Sequence, residues 1–178
     1  MLLHTLNSRL PGWLPATSWL MPLLLLAGCA SNGPVLVGGE AAAMLNKDAQ
    51  GKPLSVVVRV YQLKSDQAFN RLTMEALMAG KSDKDLLAPD LLSSQELTLL
   101  PGGKAGIGSL TVAPEATHIG LVGMFRQPDR QFWRLLYKAD DVRRVGLLFR
   151  AEDCYLRALM PPARPMPGQP VMPQADCR

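Results

Sequence analysis

Leu54-Ser55-Val56-Val57-Val58-Arg59-Val60-Tyr61-Gln62-Leu63 is the stretch from which the fold can be read. Leu54, Val56, Val58 and Val60 alternate onto one face, while Ser55, Arg59 and Tyr61 lie among the residues of the other. Its β-branched side chains are stiff at χ1 and crowd a helix, but they pack well on a pleated surface. The segment is a β-strand with one face turned to a core.

Downstream the period changes. Across Asp66 to Ala79 the residues Phe69, Leu72, Ala76 and Leu77 fall on one helical face, with Asp66 as N-cap and Gly80 as C-terminal stop. A second short helix starts at Ser82, where Asp85 three residues on completes a capping box, and Pro89 ends it. Two such helices read as a cover on a sheet edge or face. From Gln95 the alternation returns: Leu97 and Leu99, a turn at Pro101-Gly102-Gly103, then a glycine-rich strand from Lys104 to Val112. Those glycines read as marks of a bulge or of close packing. Thr117 to Phe125 is apolar on both faces, as a central strand is. Phe132 to Lys138, Val145 to Arg150 and Tyr155 to Met160 add further strands, and Val35 to Met44 gives a weaker one upstream. Short strands at roughly 8–12-residue spacing predict a mainly β, two-sheet β-sandwich with a small helical insertion after the second strand. Pro161 to Arg178 holds six prolines and reads as an extended tail.

At the other end of the chain Leu26-Ala27-Gly28-Cys29 stands at the end of an apolar run, Trp19 to Ala27. The run is too short to span a bilayer but long enough for a signal-peptide core. The pattern resembles a bacterial lipobox. That resemblance implies cleavage after residue 28, acylation of Cys29 on its sulfur and then its amine, and a lipid-anchored mature chain. Ala30 follows the cysteine, not the aspartate that resembles an inner-membrane retention signal, so the expected address is the outer membrane, facing the periplasm. The tether would be residues 29–34 and the domain 35–160.

Composition narrows the function. The first 28 residues carry one charged side chain, Arg9, so the remaining 150 residues keep a formal charge of +3 with basic residues scattered. That excludes the clustered stripe a nucleic-acid binder needs. Cys154 and Cys177 are the two cysteines not used for lipid; in an oxidising compartment they are most simply a disulfide, worth about 3 kcal/mol. Free thiols or metal ligation are the alternatives, although no histidine lies near them in sequence. His118 stands alone after His4 leaves with the signal, and no cluster has metal-ligand spacing. Gly103 to Gly108 fits neither the Walker nor the dinucleotide fingerprint, and Gly-x-Ser-x-Gly is absent. Asp140-Asp141 and Glu152-Asp153 sit beside turns, where solvated carboxylates are common. The chain reads as a non-enzyme without metal, cofactor, nucleic-acid partner or small-molecule substrate.

Taken together, the lipobox, Leu45-Asn46, Gly51-x-Pro53, Val56 to Leu63 followed by Phe69, Pro101-Gly102, Ile119 to Val122 with Phe125-Arg126, and Trp133-Arg134 resemble the type VI secretion lipoprotein family (TssJ). The resemblance implies a transthyretin-like sandwich with a helical addition. It also implies binding to the periplasmic C-terminal domain of a large inner-membrane protein, TssM, within the secretion membrane complex. In that family the loop between the first two strands makes the contact; the matching positions are Asn46, Lys47, Asp48, Ala49, Gln50, Gly51, Lys52 and Pro53. The Pro-rich tail with Cys177 departs from the minimal pattern. A periplasm-facing lipoprotein that binds or carries a small apolar ligand is the alternative reading.

Overall fold

The computed structural model describes residues 33–170 and 176–177; the signal segment, Cys29 and most of the tether lie outside them. Among the described residues, eight strands form two four-stranded sheets. The first has the order β4-β1-β7-β8 and the second β3-β2-β5-β6. The strands are β1 (Val35–Ala41), β2 (Val56–Leu63), β3 (Leu91–Leu99), β4 (Lys104–Leu110), β5 (His118–Gly123), β6 (Arg134–Lys138), β7 (Leu147–Ala151) and β8 (Leu156–Met160). Only β1 and β7 pair in parallel. The architecture is the expected sandwich.

Alternation in β2 does what the sequence asked. Val56, Val58 and Val60 enter the core with Leu97 and Leu99 of β3 and Leu121 of β5 beside them. The opposite face of β2 is covered as well. Tyr61 meets the Phe69 ring edge-on at 6.3 Å between centroids, and Arg59 pairs with Asp83 at 2.9 Å. The helices α1 (Gln67–Arg71), α2 (Met74–Met78) and α3 (Asp83–Leu87) thus roof the outer face of the β2 sheet.

The helical segment departs from expectation in its detail. In place of one helix over 66–79 there are two short ones, because Leu72 and Thr73 are extended. Thr73 then caps α2 by accepting from the Ala76 amide at 3.2 Å. Asp66 does not cap α1: it is itself helical and makes no side-chain cap bond. Asp90 reaches back to accept from the Ala68 amide at 3.2 Å. The Ser82–Asp85 box and the Gly80 stop at φ 75° are present. A fourth helix, α4 (Ala139–Val145), stands where loop carboxylates were expected. Asp140 and Asp141 occupy its first turn and pair with Arg143 and Arg144 in its last.

Of the two glycines in β4, Gly106 follows from close packing, while Gly108 faces open space. A Cβ on Gly106 would sit 2.8 Å from the Val37 carbonyl oxygen of β1, and the β1–β4 register slips between Val35 and Val37. Strand directions sort the connections into two poles. Segments 42–55, 100–103, 124–133 and 152–155 gather at one pole, and the start of β1 with α4 lies at the other. The described residues of the tail, 161–170 and 176–177, are held to the domain. The tail leaves β8, pairs with the β6 edge through Arg164 N to Leu136 O (2.7 Å), buries Met166, and ends at the loop pole.

Candidate partner-binding site

The 42–55 connection is built from its neck outward. Leu45 is fully buried, and its carbonyl accepts from the Leu54 amide at 3.0 Å. Asn46 follows at φ 47°, the left-handed region that asparagine tolerates better than most side chains. Its buried carboxamide is used on both sides: Nδ2 donates to Ser55 O at 2.6 Å, and Oδ1 accepts from the Arg126 amide at 2.8 Å. The Asn46 backbone N–H donates to Asp153 O at 2.7 Å, and Lys47 Nζ lies 2.7 Å from Asp153 Oδ2. One residue therefore ties three connections together.

The tip is organised around a single carboxylate. Asp48 Oδ1 accepts from the amides of Gln50 and Lys52, each at 2.9 Å. Its backbone exchanges bonds of 3.0 Å with Lys52 O and Gly51 N. Gly51 supplies the reversal at φ 79°, which costs a residue without Cβ little. The result is an exposed tip, Ala49-Gln50-Gly51-Lys52, held in one shape by its own hydrogen bonds. Beside it Met44 and Leu100 are about half or more exposed, and the Leu100 turn is fastened by Gly102 N to Ala42 O at 3.0 Å.

A disulfide joins Cys154 to Cys177, with Cα atoms 5.4 Å apart, and so brings the tail's end to the same pole. Buried Asp129 organises that join. Its Oδ1 accepts from the amides of Gln131 and Phe132, its Oδ2 from Asp176 N, and its own amide donates to Cys154 O. In the sequence Asp153 reads only as a turn carboxylate and Arg126 only as part of the family likeness, and Asp129 is assigned no role. The partners that tie them to this loop and to the tail lie tens of residues away, so no local spacing marks those ties; the Cys154–Cys177 pair is the signal in the sequence that this pole and the tail converge.

Among the described residues are two clefts of about 400 Å³ or more. One, of about 420 Å³, lies between α2 and the 124–133 segment. Arg134 shapes it: the guanidinium stacks 4.8 Å from the Trp133 ring centroid and donates to the carbonyls of Phe69 (2.5 Å) and Leu72 (2.6 Å), closing the end of α1. Burial pulls its pKa below the ordinary guanidinium value. The other, of about 400 Å³ and mostly apolar, lies under the tail between Phe132, Leu135, Leu156 and Pro165. Among the described residues no group of three or more His, Cys, Asp or Glu is placed to hold a metal ion. No described helix is long and apolar enough to cross a membrane.

Fold and loop together make a two-sheet scaffold that displays a preorganised connection, the kind of segment on which binding residues are commonly carried. A family profile described as type VI secretion lipoprotein (VasD, EvfM, TssJ) matches residues 35–154. The chain belongs to that family. Solved structures agree. A chain of a structure described as "Type VI membrane complex" is 30% identical, with TM-score 0.64, over 71% of this chain and 98% of that one. Lipoprotein TssJ1 from Pseudomonas aeruginosa is 27% identical at TM-score 0.59, over 75% and 99%. A chain of a structure described as the T6SS protein TssM C-terminal domain (869-1107) from EAEC gives 28% and 0.60, over 71% and 98%. No curated protein matches the chain.

Proposed function

We propose that this chain is the outer-membrane lipoprotein of a type VI secretion membrane complex, and that it grips the periplasmic C-terminal domain of a TssM-like inner-membrane protein. Residues 1–28 are the removed signal, Cys29 carries the lipid, and residues 29–34 tether the domain. The observation that carries the reading is the loop 46–53: an exposed tip, fixed by Asp48 and Asn46, at the pole opposite the start of β1. A binding surface already in its bound shape loses little entropy on association. Lys52 and Gln50 at the tip suit recognition of a polar or acidic rim, where charge sets on-rate and register more than affinity. The descriptions of two similar structures, naming a membrane complex and a TssM C-terminal domain, support the same partner. On this reading the protein is an adaptor and not a catalyst.

On this reading the loop divides by role: buried Asn46 is the anchor, and exposed Ala49 to Lys52 are the contact surface. Replacing Ala49–Lys52 with Gly-Ser-Gly-Ser should weaken binding to the purified TssM domain at least about tenfold, the worth of one lost good contact, with the melting temperature little changed. Unaltered affinity would refute the loop assignment. For the anchor, Cys29→Ser should move the protein from the membrane fraction to soluble periplasm.

The cleft under the tail favours the second reading, a carrier of a small apolar ligand, since its size and lining fall in the range of ligand sites. Lipid co-purifying in one-to-one ratio, and displaced by Leu135→Trp, would support it.

A further inference from the structure

We propose that the uncovered outer face of the β1 sheet, at the pole where β1 begins, seats on the membrane surface. Sheet β3-β2-β5-β6 is roofed by helices; the outer face of β4-β1-β7-β8 is not. That bare face is divided along the strands. Toward the loop pole it is ionic: Lys104 pairs with Glu40 at 2.5 Å, and Arg150 and Arg157 both reach Glu152. Toward the start of β1 it is apolar. Leu36 is 54% exposed, Val145 47%, Leu159 45% and Met160 39%.

Strand pairing brings these residues to one end of the sheet. Gly146, next to Val145, packs against the Leu36 carbonyl, where an added Cβ would approach the oxygen to 2.8 Å. The Leu148 side chain lies over Gly38, where an added Cβ would meet it at 2.7 Å, and Leu148 pairs with Met160 on β8. Isolated exposed leucines are ordinary on a protein surface, but a patch gathered at one end and bordered by ion pairs marks a contact.

Chain length selects the occupant. This inference rests on acylation of Cys29. The five residues Ala30 to Pro34 then extend at most about 17 Å, which keeps Val35, and Leu36 beside it, at the bilayer surface. A lipid headgroup and acyl boundary, which takes up apolar side chains to a depth of about 5–10 Å, is the surface this patch meets first. Seating there would aim loop 46–53 away from the membrane.

The test uses the acylated full chain reconstituted in vesicles of phosphatidylethanolamine and phosphatidylglycerol, with and without brominated acyl chains. Leu159→Trp and Gln50→Trp place reporters at the two poles, and the parent protein supplies the background of buried Trp133. Flotation with the vesicles, lost in Cys29→Ser, reports the anchor alone. The expected result is flotation of both variants, with Leu159→Trp emission reduced about twofold by bromine, as for a residue at the acyl boundary, and Gln50→Trp unchanged. Flotation without quenching of Leu159→Trp overturns the seat and leaves the anchor standing; a blue shift without quenching does so too and assigns the patch to another protein chain. Failure to float overturns both.

Discussion

The two poles of this sandwich are held by different chemistry. At the loop pole the shape is fixed by backbone amides converging on Asn46, Asp48 and Asp129, and by a disulfide. Opposite it, near the start of β1, the tail is fastened through His118 and Arg164, side chains whose bond depends on a proton. The loop pole is tied by backbone amides and a disulfide; at the other end the tail's side-chain bond, added to the backbone bond of Arg164 to Leu136, is conditional on a histidine proton. That difference suits a protein that presents a preformed surface at one end, and it gives an order to the experiments that could break it.

The largest effect should come from Cys177→Ser. Freeing a loop of about two dozen residues costs about 3 kcal/mol on the chain-entropy account, measurable by urea denaturation under non-reducing conditions. If the loop pole holds itself, affinity for the TssM domain should nonetheless change less than about tenfold. A collapse of binding would show that the disulfide, and not the hydrogen bonds, shapes the tip. Asn46→Ala comes next. It strands the Arg126 amide and Ser55 carbonyl and puts alanine in the left-handed region, which together should cost about 2 kcal/mol. Asn46→Gly keeps the conformation and should recover only the smaller, backbone part. Asp48→Ala should cost about 1 kcal/mol, while hydrogen exchange at the Gln50 and Lys52 amides accelerates. Stability and binding should separate here: a loosened tip loses affinity out of proportion to the fold.

The poles also differ in how far the sequence announced them. β2 was legible to within two residues at its start because strict alternation next to β-branched residues admits one reading. Gly106 of β4 was legible as close packing for a related reason, its cost being repaid by a neighbour, whereas Gly108 faces open space. Breaks came where a distant residue took over a local role. The helix over 66–79 splits at Leu72-Thr73, where Arg134, more than sixty positions away, takes the carbonyls of Phe69 and Leu72. Asp66 lost its cap role to Asp90. α4 was available in principle, since acids at its start, arginines at its end and Gly146 at φ 73° are the usual signs of a helix. Paired acids beside turn signals, however, read just as readily as solvated loop residues. The candidate loop's position followed from the family resemblance, but its division into the Asn46 anchor and the Ala49–Lys52 tip depends on Arg126 and Asp153, which only the fold brings near.

The smallest expected effect is also the one that separates the poles most cleanly. The Thr117 hydroxyl has one proton, and it goes to Lys64 O at 2.6 Å. Its oxygen, 2.8 Å from His118 Nδ1, must therefore accept, which fixes the proton on Nδ1 and leaves Nε2 bare. Arg164 donates to that bare nitrogen at 2.9 Å. A second proton on the ring would displace the guanidinium and set two cations face to face. Partial burial lowers the His118 pKa; Asp66 opposes this, while Arg164 and Lys138 add to it. With the folded pKa below the unfolded value near 6.5, the unfolded chain binds the proton first. Stability is thus fully present above about pH 6.5 and declines as the pH falls through that value toward the folded pKa. The half-exposed ring keeps the change modest, because solvent screens it. Between pH 7 and 5, the protection factor of the Arg164 amide, corrected for the intrinsic exchange rate, should fall while those of Gln50 and Lys52 hold. His118→Gln, a neutral acceptor that cannot take the proton, should remove the pH dependence. An equal loss of protection at both poles would mean that the tail and the loop open together, and that the histidine end controls the loop end.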